Sequence, residues 1–259
     1  MLGGRVIMLR MEPLSSFEIG SAFNLKQALN WGQLPLVVNQ IELASKTLQS
    51  YLQTYLKEEI AQEGFVRKLE PFARFVEISC IMNQQTLNYE NLGRDARVKN
   101  SSVQNYFELL EDTLADHKLN AYRPAAKVRE NSKTKFYFFD VGVARVAARY
   151  LQDELDPVYE GFLFETLLFH ELRCFNEYSE RHRPLAHYAT PTGDIDFIIE
   201  ANIGTVLLSE IFDRLKVLLK LKSQTKDGCL FWRKFIEHED FTVYPVLMFL
   251  EALHAGKIY

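Results

Sequence analysis

Three stretches of the sequence predict a mixed α/β fold of the α+β kind, with helices and strands segregated along the chain. Residues 15–63 carry helical patterning behind hydroxyl caps. Residues 67–139 hold three amphipathic stretches and then two β-like runs. Residues 161–210 hold one amphipathic helix followed by two alternating apolar runs. A chain of 259 residues has room for two or three small cores, and these stretches predict units at 1–66, 67–150 and 151–259.

Composition bounds the function classes. The chain is 47% apolar and 25% charged, with a formal net charge of −4. That charge does not advertise a nucleic-acid binder, so nucleic-acid contact would need a local patch. Cys80, Cys174 and Cys229 lie far apart, with neither zinc-ligand nor disulfide-framework spacing, which predicts free thiols in a reducing cytoplasm. No apolar run reaches bilayer length, so no membrane partner is expected. MLGGRVIMLR is too short and too charged for a signal peptide.

In the first unit, VIMLRM reads as a strand. Ser15-Ser16-Phe17-Glu18 fits a capping box, in which a hydroxyl and a glutamate three residues on satisfy each other's backbone N–H groups. Gly32 and Pro35 mark a loop. A long helix is predicted over residues 40–63, with Leu48, Leu52, Tyr55, Leu56 and Ile60 as its apolar stripe and Gly64 as its stop.

In the second unit, Phe72, Phe75 and Val76 mark one helix. Asn88 caps a second over residues 89–97. A third starts at Ser101 behind a second capping box, Ser101 to Gln104. Runs at 118–122 and 135–139 follow, joined by a connection bearing Arg123, Lys127, Arg129 and Lys133, with Lys135 at its end. This order is that of a winged helix-turn-helix. In that geometry Ser102, Gln104 and Asn105 would approach a major groove, and Lys127, Arg129 and Lys133 would meet phosphate. Winged helices also serve as protein-interaction modules, and a serine at a helix start is also simply a cap.

In the third unit, Phe164, Leu167, Leu168, Leu172 and Phe175 give a helical stripe. DIDFII and GTVLLSE alternate as strands, with a turn at residues 202–204. Glu165, Asp196 and Glu210 each fall on one of these three elements, a layout that resembles the PD-(D/E)XK nuclease core. There Mg²⁺ takes carboxylate oxygens, polarises the phosphoryl group and activates water. The lysine expected two residues after the second acid is Phe212 here, and Lys216 is the candidate displaced cation. The plain alternative makes the three acids solvated charges at element ends. Further on, residues 215–221 suggest a helix, Asp227-Gly228 a turn and CLFW a short strand, with a last helix starting at Pro245 and closing at Gly256.

The series GGR, MEPLSSFE, GQLPLVV, YLQTYLKEEI, LNYENLGRDARVKNSSVQNYFELLEDTL, KFYFFDVGVAR, GFLFETLLFHEL and GDIDFII resembles, in that order, the C-terminal two-thirds or so of a prokaryotic AAA+-type ATP-binding family that ends in domain of unknown function 4143. The resemblance implies an ATPase-lid remnant, a winged helix and a restriction-endonuclease-like domain. It departs in two places. No GxxxxGK[ST] loop exists in the chain, so neither ATP binding nor ATPase activity is expected. EIF also stands where the family-like EVK should be. Either the copy is truncated or the chain is a piece of a longer product.

Three functional expectations result. One is a non-catalytic module that binds double-stranded DNA or a protein partner, with a degenerate nuclease-like domain and no cofactor. The second is a Mg²⁺-dependent nuclease in which Asp196 and Glu210 hold the metal, Glu165 supports them and Lys216 supplies the cation. The third is a nonfunctional remnant.

Overall fold

The computed structural model describes residues 10–55, 60, 66, 68–122, 134–190, 193–201, 204–209, 227–231, 236–238 and 241–259, with side chains between 189 and 243 described only at 194–200 and 242. Ten α-helices and eight strands are assigned among them. Residues 6–9 of the expected strand VIMLRM, the basic connection with Lys127, Arg129 and Lys133, and Glu210, Phe212 and Lys216 lie outside the described residues, and Arg10 and Met11 at the end of VIMLRM are in no strand.

The N-terminal segment forms α1 (Ser16–Ile19), α2 (Leu25–Trp31), α3 (Pro35–Asn39) and α4 (Ala44–Thr54). The capping box at α1 is formed: Ser15 Oγ accepts from Glu18 N, and Glu18 reaches back to Ser15 N at 2.8 Å. The helix expected from residue 40 is shorter at its start, because Ile41–Leu43 form a 3-10 turn before α4.

Next come α5 (Leu69–Ile81), α6 (Tyr89–Ala96), α7 (Asn100–Asp112), β1 (Asp116–Leu119) and β2 (Lys135–Phe138). Asn88 caps α6 as expected, its side chain accepting from Asn91 N. The capping box expected at Ser101 is absent. Arg97 adopts a left-handed conformation, and Lys99 then becomes the N-cap without a side-chain bond. The turn thus starts α7 one residue early and places both serines inside its first turn. β1 and β2 pair antiparallel, and Thr86 makes an isolated bridge to Lys135 on β2.

One apolar cluster crosses the expected boundary near residue 66. Val37, Leu48, Tyr55 and Ile60 belong to the same buried group as Phe72, Phe75, Phe107 and Phe136. α8 (Val141–Ala147) closes that cluster and is capped by Asp140, whose side chain accepts from Val143 N. Gly32 and Gly142 allow the end of α2 to meet the start of α8. A Cβ on Gly32 would come within 2.2 Å of Asp140 Oδ1, and one on Gly142 within 2.1 Å of the Trp31 carbonyl oxygen. Gly32 also has φ +74, a left-handed value that glycine adopts without strain.

α9 (Pro157–Tyr178) is the central helix. Leu163, every residue from Glu165 to Leu172, Cys174 and Phe175 are buried, so it lies inside the molecule rather than on one face of it. A six-stranded sheet follows, built of β3 (Leu185–Thr190), β4 (Gly193–Ala201), β5 (Gly204–Ser209), β6 (Asp227–Phe231), β7 (Ile236–His238) and β8 (Phe241–Tyr244). Its order is β3-β4-β5-β6-β8-β7. β5–β6 and β6–β8 are parallel and the other pairs antiparallel. Asp227 and Gly228, expected as a turn, begin β6 instead. α10 (Val246–His254) takes Pro245 as its N-cap, one position earlier in the motif than expected, and Gly256 follows at φ +67. Phe197 and Ile199 of β4 join Phe169 and Leu172 of α9, Phe249 and Leu253 of α10, and Tyr137 of β2 in a second core. Cys80 and Cys174 are buried free thiols. No helix among the described residues is long and apolar enough to cross a membrane.

Candidate functional site

Two of the three predicted acids come together where β2, α9 and β4 meet. Glu165 is on the third turn of α9, where its buried part begins, and Asp196 is on β4 between Ile195 and Phe197. Neither is a solvated charge at an element end: Glu165 is 8% exposed and Asp196 2%. Strand alternation brings the partner they require. On β2, Lys135 and Tyr137 are two residues apart and share a face, and both reach Glu165. Lys135 Nζ lies 2.8 Å from Glu165 Oε1, and the Tyr137 hydroxyl donates to the same oxygen at 2.6 Å. The same ammonium is 4.0 Å from Asp196 Oδ1. Burial pushes the Glu165 carboxyl above its usual range and Asp196 adds to that push, while Lys135 and Tyr137 oppose it.

The aromatic surround is tight. Tyr137 packs on Phe169 with ring centroids 4.3 Å apart, and Phe169 stacks on Phe197 at 5.8 Å. At the next residue of α9, Thr166 accepts from Asn83 Nδ2 at 2.8 Å, while Asn83 Oδ1 accepts from Phe138 N at 2.9 Å. β2 is therefore fastened to α9 twice, by the Lys135 and Tyr137 side chains on Glu165 and through Asn83 on Thr166.

Glu165 Oε1 accepts from an ammonium and a phenol, and that ammonium stands within ion-pair range of Asp196; Glu210, expected to hold a metal with Asp196, lies outside the described residues. Among the described residues, no set of three or more His, Cys, Asp or Glu side chains converges as metal ligands.

A second buried network joins the quoted motifs. Glu171 of α9 is fully buried and accepts from Ser16 N at 2.8 Å, Ser16 Oγ at 2.8 Å and Gln33 Nε2 at 3.1 Å, with His254 Nε2 at 3.1 Å. Burial alone would raise its carboxyl, but those hydrogen bonds and the nearby His170 outweigh it and hold it below the usual range. Gln33 N also donates to Asp140 Oδ2 at 2.7 Å. Arg145, 1% exposed, donates to the carbonyls of Asn30, Tyr150 and Asp153. MEPLSSFE, GQLPLVV, FFDVGVAR and the HEL of α9 thus meet at one place. Ser16 and His254 do not form a nucleophile–base pair oriented by Glu171, because the same imidazole nitrogen faces both the hydroxyl and the carboxylate.

The expected nucleic-acid residues are placed in part. Gln104 and Asn105 are exposed and Ser102 half-buried on the first turns of α7. Sequence reasoning missed Lys135 as a partner of the acids. The two-residue period from Lys135 to Tyr137 was the available signal, but nothing local tied that strand to α9.

A family model described as a domain of unknown function (DUF8612) matches residues 22–154. No curated protein and no solved structure matches the chain. These comparisons tie the chain to no AAA+ ATPase and no nuclease family.

Proposed function

We start from a chain that belongs to the DUF8612 family, and we propose that it is a non-catalytic module that binds duplex DNA through a winged-helix-like half. In this reading the half containing α9 and the sheet is nuclease-like in layout but does not cleave. One observation carries the second part: Lys135 Nζ stands 2.8 Å from Glu165 and 4.0 Å from Asp196. The charge that a divalent ion would have supplied comes from the chain itself. A buried aspartate at 2% exposure also offers no open position to a phosphodiester.

Support for the DNA-binding half is the arrangement of α5 to α7 with β1 and β2. The Thr86–Lys135 bridge adds a third short segment to that two-stranded sheet, as a winged helix requires. On α7 the exposed first turns carry uncharged donors and acceptors, Gln104 and Asn105, while Glu108, Glu111 and Asp112 follow. Only the N-terminal end of that helix suits a groove lined by phosphate.

Binding of a mixed-sequence duplex, followed by fluorescence anisotropy against salt, tests the reading. The affinity falls with salt, and changing Lys127, Arg129 and Lys133 to alanine lowers the slope of log K on log salt by up to about three. An unchanged slope removes the basic connection from the interface, and the absence of binding at low salt removes DNA as the ligand.

A further inference from the structure

We propose that the cavity between α1 and α10 binds a small amphiphilic amine, an apolar body carrying a protonated primary or secondary amino group. This inference is independent of the DNA-binding reading. The cavity has a volume of about 570 Å³, within the range of small-molecule sites. α10 faces it with Leu247, Leu250, Glu251 and His254, the i, i+3, i+4 and i+7 positions of one helical face. α1 and the 3-10 turn after it (Gly20–Ala22) form the opposite wall, with Ser16 and Phe17. The two leucines and Phe17 make the lining largely apolar, yet Phe17 is 69% and Leu247 54% exposed. Apolar side chains thus stand open around a space of ligand size.

His254 decides which head group the cavity accepts. Its side chain is 10% exposed. The ring is clamped: Phe17 stacks on it with centroids 5.2 Å apart, and Phe175 meets it edge to face at 6.1 Å. Glu171, held ionised by its donors, faces Nε2 at 3.1 Å, and a carboxylate can only accept. The proton of the neutral imidazole therefore sits on Nε2, which leaves Nδ1 as a lone-pair acceptor. With Nε2 turned to the fully buried Glu171, Nδ1 is the ring nitrogen left for the cavity, and it has no hydrogen-bond partner among the described residues.

Charge is the second, separate observation. Glu251 is the one formally charged side chain among the described residues that line the cavity, and it stands one turn before His254 on the same face of α10. The carbonyl end of that helix adds a partial negative charge at His254. A carboxylate and an imidazole lone pair both accept, so the complementary head group donates N–H bonds and carries positive charge. An alcohol lacks the charge, a quaternary ammonium lacks the donor, and a carboxylate has the wrong sign.

An NMR titration of the full chain with phenethylamine tests the site, with phenethyl alcohol, phenethyltrimethylammonium and phenylacetate as analogues of altered head group. Saturable amide shifts are expected at 16–21 and 247–255, and each analogue is expected to bind at least about fivefold more weakly than the amine. Glu251→Gln weakens the amine by about fivefold, the effect of one exposed ion pair. Leu247→Lys, which places a competing ammonium in the cavity, abolishes binding. Met248→Lys makes the same change at the next position of α10, 45% exposed and outside the lining, and leaves binding unchanged. Should Leu247→Lys fail to fold, the imidazole nitrogen resonances of His254 in the unmodified protein replace it: Nδ1 is unprotonated at the start and shifts on adding the amine. No saturable binding of the amine, an analogue that binds as tightly, indifference to Glu251→Gln, equal effects of the two lysine variants, shifts confined to other segments, or a proton found on Nδ1 of the neutral ring overturns the proposal.

Discussion

At the scale of single residues, Lys135 governs the candidate site. Its ammonium is the only described cation within ion-pair range of Glu165 and Asp196 together. Lys135→Met removes the shared cation from two buried acids and leaves the Tyr137 hydroxyl on Glu165. The expected cost is about 3 kcal/mol, the usual result of removing one partner from a buried ion pair, read from urea unfolding midpoints at neutral pH. A loss below about 0.5 kcal/mol would show that the pair contributes little. The acids themselves were legible in the sequence because each sits in an obvious element. Lys135 was not, because its partner is 30 residues away across a helix and its meaning depends on how β2 lies against α9. Asp116 gives a pH signature of the opposite kind. Its folded carboxyl takes up a proton more readily than an unfolded one. The stability it contributes is therefore present at low pH and is lost as pH rises from about 4, the unfolded value, through the raised folded value. Asp116→Asn removes that loss. The variant is expected to gain about 1–3 kcal/mol over the unmodified chain at neutral pH and nothing below pH of about 3. A pH-independent difference contradicts the assignment.

Secondary-structure elements divide by whether their ends are decided locally. The caps at Ser15, Asn88 and Asp140 form as their sequences dictate, since a short polar side chain needs only the next turn to satisfy it. Ser101 has the same local signature and fails, because the left-handed Arg97 and the bond from Val98 N to the Gly93 carbonyl fix the chain before it. Ser15→Ala is expected to cost about 1 kcal/mol in thermal or urea unfolding and Ser101→Ala close to zero. Equal costs at the two serines would contradict the difference in their caps. β3 went unread because LAHYAT has weak alternation, and it becomes a strand through its register with β4. The short β7 and β8 owe their existence to sheet pairing in the same way.

For the molecule as a whole, the motifs scattered along the sequence are one object. Ser16, Gln33, Asp140 and Glu171 come from four separate stretches and share a continuous buried hydrogen-bond network. Linear order alone could show that these motifs belong together, but not that they meet around a buried carboxylate. The mixed α/β make-up was legible from periodicity. Its partition at residue 66 was not matched by the packing, since apolar side chains on both sides enter one cluster. Across the two sheets, the Ala121–His187 bridge and the Lys135–Glu165 pair join the helical half to the strand-rich half. A site shared by both halves responds to changes in either, which is why its chemistry belongs to the whole chain. The most direct test is a cleavage assay on duplex and single-stranded DNA with Mg²⁺ or Mn²⁺, comparing the unmodified chain with Asp196→Asn. The account predicts no cleavage by the unmodified chain above the level of the variant. Metal-dependent cleavage that Asp196→Asn abolishes would contradict it.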